Sequence, residues 1–240
     1  MLSRSITTIK SSPKDTKSIS VVILSAGAGL RIRSNEPRSL IKINDETLIN
    51  HQIKAVNNSF KNYEIVGVFG THIDKIIKKL GGKIRIVENQ LHESTNNSES
   101  MRLGLNNCIN NSVLFIHGDI YFDSSLLIDA NYNKSFLLLD ANDDMDEKEV
   151  GVTISKNNVS ILSYGLKKKW CQICHFTGRE LKILRSIFSK FKEPDRKMLS
   201  FELINKVIES GGSFTCYEKK GSHVVEIDCI KDLNNENFNL

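Results

Sequence analysis

The sequence predicts a three-layer α/β/α fold on a mixed, mostly parallel sheet. Two observations carry this. Apolar, β-branched runs of strand length recur at Ile19–Leu24, Tyr63–Phe69 and Ser112–His117. Between them lie segments whose apolar residues follow helical spacing, so residues 19–117 read β-α-β-α-β-α-β, an order that implies parallel strands with helices on both faces.

The elements follow in order. After the first strand, Thr47–Asn58 places Leu48, Ile49, Ile53 and Val56 on one helical face. Tyr63–Phe69 is the second strand. His72–Leu80 is a helix closed by Gly81-Gly82, the residue type that accepts a left-handed C-terminal turn. Lys83–Glu88 is a short strand. Asn96–Cys108 is helical, with Met101, Leu105 and Cys108 inward, and Ser112–His117 is a buried strand. Asp123 is placed to cap a helix that starts at Ser124. The second half is less regular. Ser135–Leu139 and Lys169–His175 read as strands, and Val150–Ser155 with Val159–Tyr164 as a hairpin around Asn157-Asn158. Thr177–Phe191 and Leu199–Ser210 read as helices, and Ser213–Tyr217 and His223–Glu226 as strands. Residues 1–17 are rich in Ser, Thr and Lys and read as a flexible tail, which leaves 18–240 as one domain.

Composition narrows the function. Hydrophobic residues make up 40% and charged residues 25% of 240 residues, ordinary for a globular protein with a full core. The formal net charge is +5. The tail contributes +3 of it through Arg4, Lys10, Lys14 and Lys17 against Asp15, so the body stands near +2. A nucleic-acid binder shows a stronger, clustered excess, and no apolar run approaches the roughly 20 residues that span a bilayer. Neither nucleic acid nor membrane is therefore expected as a partner. Five cysteines in a chain of this length suggest no disulfide framework and a reducing cytoplasm. Cys171-Gln172-Ile173-Cys174-His175 matches the C-x-x-C-H haem-attachment pattern, but it falls in a strand behind Trp170 and reads as strand residues.

The stretch Leu24-Ser25-Ala26-Gly27-Ala28-Gly29-Leu30-Arg31-Ile32-Arg33 follows a buried strand with glycines and then cations. Glycines permit close backbone approach and positive φ, successive N–H groups form an anion nest, and Arg31 and Arg33 add charge. This is a phosphate-binding layout. It is not a P-loop, since no G-K-[ST] follows, and it lacks the third Rossmann glycine, Ile32 standing there.

Ala26-Gly27-Ala28-Gly29-Leu30-Arg31 followed by Pro37-Arg38-Ser39-Leu40 resembles the signature of sugar-phosphate nucleotidyltransferases, A-G-x-G-x-R and then P-K-x-L. The run Ile41 to Ile49 resembles that family's v-k-v-n-g-k-p-L-I. Phe115 to Asp123 resembles its G-D-x-x-f-d, and Val225-Glu226-Ile227-Asp228 with Lys231-Asp232-Leu233 its terminal E-I-D-t-x-x-D-L. Glu88-Asn89 with Thr95 to Ser98 and Ser100 resembles the N…N-N-x-x-S loop of the phosphocholine cytidylyltransferase-like branch of bacterial cell-surface pathways. The likeness runs over residues 19–233 and implies a nucleotide-diphospho-sugar transferase-like fold.

The resemblance implies an enzyme that couples an NTP, CTP before UTP, to a small phosphorylated acceptor and releases pyrophosphate. The acceptor oxygen is already anionic, so such chemistry needs positioning and charge neutralisation more than a strong base. By resemblance, Arg31 meets the β- and γ-phosphates, and the backbone of Ala26, Gly27, Ala28, Gly29 and Leu30 lines base and phosphates. Asn89, Asn96 and Ser100 offer groups for base or ribose, although Asn96 or Thr95 also suits a helix cap. Mg²⁺ would be held by Asp119, directly after a buried strand, and by Asp228. Arg38 departs from the family's Lys, replacing a compact ammonium with a planar fork; Lys42, four residues on, is a second source of charge. The departure leaves room for a catalytically weak homologue that binds nucleotide or sugar as a regulator. For the acceptor, Tyr164, Trp170, Phe176 and the acidic stretch Asp140–Glu149 are the candidates for an aromatic and acidic cage. Sugar 1-phosphates, phosphocholine and aminoalkyl phosphonates all stay open, as does the oligomeric state.

Overall fold

The structure is a computed structural model that describes residues 18–27, 37–140, 147–218 and 224–227. The predicted tail, Ala28 to Glu36 with Arg31, and Asp228 lie outside the described residues.

Thirteen strands and six α-helices are described. The first half runs β1 (Ile19–Ser25), the hairpin β2 (Lys42–Ile43) and β3 (Glu46–Thr47), α1 (Leu48–Ser59), β4 (Tyr63–Phe69), α2 (Ile73–Leu80), β5 (Arg85–Glu88), α3 (Asn97–Asn106), β6 (Ser112–His117), β7 (Ile120–Phe122) and α4 (Ser125–Ile128). The second half runs β8 (Phe136–Leu139), β9 (Val150–Ser155), β10 (Asn158–Tyr164), β11 (Lys168–Thr177), α5 (Gly178–Ser189), α6 (Ser200–Glu209), β12 (Thr215–Glu218) and β13 (Val224–Glu226). Nine strands form one sheet in the order β5-β4-β1-β6-β11-β8-β12-β10-β9. Strands β5, β4, β1 and β6 are mutually parallel. β11 runs antiparallel to β6 and β8, and β12 runs parallel to β8.

The apolar strands are buried on both faces, as parallel strands covered by helices must be. Val21 and Ile23 of β1 join one core with Ile49, Ile53 and Val56 of α1, Ile76 and Leu80 of α2, and Leu126 and Leu127 of α4. Val22 and Leu24 join the other with Met101 and Leu105 of α3, Leu181 and Leu184 of α5, and Leu203 and Val207 of α6. Helix α3 lies tight on β1: a Cβ on Gly104 would come 2.4 Å from Val22 Cγ1.

Element boundaries moved by one or two residues for local reasons. Thr47 closes β3 and is the residue before α1 rather than its first turn. His72 takes φ 56° and stands outside α2. The hairpin turn between β9 and β10 is Lys156-Asn157, at φ 49° and 65°, because Asn158 already pairs with Ser155. Asp123 Oδ1 accepts from the Ser125 N–H (2.6 Å) at the start of α4, which begins one residue later than predicted. The short pieces β2, β3 and β7 carry no periodicity to read.

The C-x-x-C-H run occupies β11. Cys171 packs in the first core and Cys174 in the second, so the two thiols face opposite sides of the sheet. Burial pushes both thiols far above their ordinary pKa. His175 is fully buried, its ring between Ser112 Oγ and the Lys134 carbonyl, each 2.8 Å away.

Two stability measurements follow. Gly104→Ala gains about 1 kcal/mol of helix propensity but overpacks α3 against Val22, which costs about 1–3 kcal/mol. The net expected is a loss of up to about 2 kcal/mol in urea unfolding. Burial lowers the His175 pKa from 6.5 to about 4. The unfolded chain therefore takes up that proton first on acidification. The neutral ring's contribution is complete above about pH 6.5 and declines as pH falls toward 4. The urea midpoint should fall over that window, and less steeply in His175→Gln.

Candidate active site

Three of the predicted segments meet at one edge of the sheet. β1 pairs with β4 on one side and β6 on the other, so the chain order reverses at β1. Ligands of open α/β sheets bind beyond the carboxyl ends of strands at such a reversal. Leu24 pairs with His117, so Ala26 and Gly27 leave β1 beside the Gly118-Asp119 turn that leaves β6. The turn is close against β1: the Gly118 N–H donates to Leu24 O (2.8 Å), and a Cβ on Gly118 would meet Ser25 Cβ at 2.5 Å. Ala26 is buried, while a Cβ on Gly27 would meet no atom of the described residues within 4 Å.

Asp119 is fixed from three directions. Ahead of it, the Gln52 amide donates to the carbonyls of His117 and Ile120, both at 2.8 Å. Its own carbonyl accepts from the Ile227 N–H (2.7 Å), which extends the β13–β7 pairing. Its Oδ2 takes the Arg38 guanidinium at 2.6 Å. Its Oδ1 is buried and has no hydrogen-bond partner among the described residues. A buried carboxylate oxygen without a donor costs about 1–3 kcal/mol unless something electropositive meets it, which is what a divalent cation does. Among the described residues no three His, Cys, Asp or Glu side chains cluster as ligands. Asp119 fits a cation held jointly with substrate phosphates and a second carboxylate, the manner of Mg²⁺. The chain reaches Asp119 at Ile227, one residue before Asp228.

Arg38 is placed by its backbone. It opens a 3₁₀ turn, Arg38–Leu40, between buried Pro37 and buried Ser39, and its carbonyl accepts from the Ile41 N–H (3.1 Å). Ile41, Ile43, Leu48, Tyr121 and Ile227 form a small separate core. That core ties the Arg38 turn to β7 and to the chain entering Asp228. The side chains of Arg38 and Asp119 remain 19% and 22% exposed, so the pair is largely buried yet still reached by solvent. A polyanion can therefore break the pair.

The other predicted residues are placed as follows. Lys42 is exposed on β2, whose hairpin turns through Asn44 and Asp45 at φ 47° and 65°. Asn89 is buried, its amide donating to Thr95 Oγ1 (3.2 Å) and Ser100 Oγ (3.3 Å) and its Oδ1 accepting from the Leu91 N–H. Asn89 and Ser100 thus shape the loop from β5 to α3. Asn96 is the residue before α3 and accepts from the Asn97 N–H (3.0 Å). Asn89, Asn96 and Ser100 meet at this loop, and Lys42 stands apart from it.

Beside Asp119 opens a cavity of about 530 Å³, walled by Glu149, Tyr164, Trp170, Phe201 and Glu226 among others. Of the predicted cage, Tyr164, Trp170 and Glu149 are there. Phe176 is not: it is fully buried, edge-on to Phe115 and Phe214 in the second core. Residues 141–146 of the acidic stretch lie outside the described residues. Trp170 is itself 3% exposed, its N–H held by the Ile173 carbonyl (3.0 Å), with the His117 ring edge-on at 5.6 Å. Burial lowers the pKa of His117, against the charge of Asp119, and its Nε2 meets Ser200 Oγ at 3.0 Å. Glu226 Oε2 accepts from the Gln172 amide at 2.6 Å. Lys169 pairs with Glu149; burial works to lower its pKa, but that hydrogen bond and nearby carboxylates leave it raised.

Two supports went unread in the sequence. Gln52 is a polar residue on the apolar face of α1, between Leu48, Ile49, Ile53 and Val56, and that misplacement was its signal. Gln172 had none, since only the bulge at its φ of 59° turns it to Glu226.

With the site in view, the chain can be set beside known proteins. Residues 21–134 match the MobA-like NTP transferase domain. The transferase match spans β1 to the end of the loop after α4, and so takes in Ala26, Arg38, Asn89 and Asp119. No curated protein sequence matches the chain. Solved structures do. The inositol-1-phosphate CTP transferase from T. maritima superposes at a TM-score of 0.74 and 18% identity, over 89% of this chain and 90% of that one. The CTP:phosphocholine cytidylyltransferase from Streptococcus pneumoniae superposes at 0.76 and 20% identity, over 90% and 96%. A putative glucose-1-phosphate thymidylyltransferase from Bacillus anthracis superposes at 0.74 and 13% identity, over 90% and 93%. The transferase family and these neighbours are nucleotidyltransferases, and the shared fold continues through the second half. No helix among the described residues is long and apolar enough to cross a membrane.

Gln52→Leu is expected to leave the His117 and Ile120 carbonyls without their donor. Thermal unfolding should show a loss of about 2 kcal/mol, with nucleotide binding weakened as the Asp119 turn loosens.

Proposed function

We propose that the chain is a Mg²⁺-dependent nucleotidyltransferase that joins CTP, or less readily UTP, to a small phosphorylated acceptor and releases pyrophosphate. The observation that carries this is Asp119: a carboxylate at the sheet reversal with one buried, unmatched oxygen, an arginine on the other, and a cavity beside it.

In this reading the acceptor's phosphate oxygen attacks the α-phosphorus of the nucleotide in line, the bond to the β-phosphate oxygen breaks, and pyrophosphate leaves with its electron pair. The chain supplies position and charge. The glycine loop from Ala26 to Leu30 receives base and phosphates, Arg31 receives the β- and γ-phosphates, and Arg38 turns its guanidinium to the α-phosphate. Lys42 adds charge from the β2 hairpin. The loop shaped by Asn89 and Ser100, with Asn96, reads base and ribose. Asp119 and Asp228 would hold Mg²⁺, which supplies neutralisation of the charge developing on the phosphates. The cavity seats the acceptor. Its aromatic wall and its carboxylates Glu149 and Glu226 favour a cationic head group such as phosphocholine or an aminoalkyl phosphonate, with sugar 1-phosphates next. A cytoplasmic setting, with no nucleic-acid or membrane partner, accords with small soluble substrates.

The Arg38–Asp119 pair also favours a second reading, in which the chain binds nucleotide or sugar and turns over weakly. Pyrophosphate release with Mg²⁺, measured for each of four NTPs against phosphocholine, aminoethylphosphonate and sugar 1-phosphates, separates them. Release is expected with CTP and one acceptor, and Asp119→Asn should lower it by about 100-fold or more without loss of fold. Thermal stabilisation by CTP with no release from any pair would select the binding reading.

A further inference from the structure

Asp119 has one negative charge and two oxygens that face different demands. Oδ2 is held by Arg38 at 2.6 Å, and Oδ1 is buried with no hydrogen-bond partner among the described residues. The two oxygens of a carboxylate are about 2.2 Å apart, so a cation on Oδ1 would stand no more than about 7 Å from the nearest guanidinium nitrogen, close enough for like-charge repulsion at a largely buried site. A guanidinium does not relieve this by losing a proton, as it stays charged at any ordinary pH. Nor is Arg38 free to swing its backbone away, since Pro37 and Ser39 are buried on either side and Ile41 belongs to the small core that also holds Ile227. Only the side chain can move, and it needs an anion to move to. The other charges at the cavity are engaged: Glu226 with Gln172, and Lys169 with Glu149.

We infer that Arg38 and the divalent cation compete for Asp119, so that the chain holds metal weakly until a nucleotide triphosphate draws the arginine off. This rests on the nucleotidyl-transfer reading above. The triphosphate offers Arg38 a bidentate partner of higher charge than one carboxylate. With the guanidinium gone, Asp119 presents its full charge to the cation, and the same phosphates share that cation. Nucleotide and metal then each raise the other's affinity by the same factor. A lysine at position 38 would be a shorter, more mobile point charge and a weaker competitor; the arginine makes the coupling steep.

The test is Mn²⁺ binding by the full chain without nucleotide, read from the spin-resonance signal of free Mn²⁺. Arg38→Gln should bind Mn²⁺ at least about fivefold tighter than the unaltered chain, the worth of one partly exposed ion pair. Adding Asp119→Asn to it should abolish the gain. In excess chelator, Arg38→Gln should bind CTP at least about tenfold more weakly, the loss of one charged bidentate contact. Arg38→Met, which keeps the aliphatic stem, repeats both measurements if Arg38→Gln does not fold. Equal Mn²⁺ affinity with and without the arginine, lost on Asp119→Asn, overturns the competition and leaves the metal site standing. Unchanged CTP affinity overturns the handover. No Mn²⁺ binding by any of these proteins overturns the metal assignment and the competition with it.

Discussion

The site depends on a small core that is separate from the two large ones. Ile41, Ile43, Leu48, Tyr121 and Ile227 pack together where no strand of the main sheet reaches. Three of them stand within three residues of a charged candidate: Ile41 after Arg38, Tyr121 after Asp119, Ile227 before Asp228. Apolar contact is non-directional, and burying each such side chain is worth about 1.5–3 kcal/mol, so the five together outweigh the one ion pair beside them. The apolar contact therefore sets the distance between the charges. The charges do not set it themselves.

This division suits a catalyst of phosphoryl chemistry. Charged groups that must let go of one another when substrate enters cannot also be the glue. Here Arg38 and Asp119 stay exposed enough to exchange partners, while the Gln52 amide and the Ile227 N–H hold only backbone carbonyls around Asp119. The carboxylate is thus left open while its backbone is immobile.

The sheet divides the labour in the same way. Its parallel half, from β5 to β6, brings the nucleotide-side loops to one edge. Its second half, entered through the antiparallel β11, supplies the wall of the cavity through Trp170, Gln172 and Tyr164. The bulge at Gln172 lets β11 pair with β6 and β8 at one end and with β9 at the other. The match to the transferase family stops before this half, while the likeness of fold runs on through it. The shared fold therefore takes in the second-half strands that help wall the cavity, which the family match does not reach.

Local pattern alone determined the alternation of strands and helices, the helix faces of α1 and α3, and the glycine loop after β1. Each rests on neighbours within a few residues, where periodicity and turn preference act. The same is true of Asp119 as a residue at a strand end. Tertiary structure decided the rest. Phe176 looked like a cage residue until β11 turned it into the second core, and Asn89 and Ser100 proved to hold one another. Cys171 and Cys174, which match a haem-attachment pattern on paper, face opposite sides of β11. That Arg38 rests on Asp119, 81 positions away in sequence, follows from no local rule. Which charges meet is fixed by how three distant segments pack, and packing is a property of the whole chain.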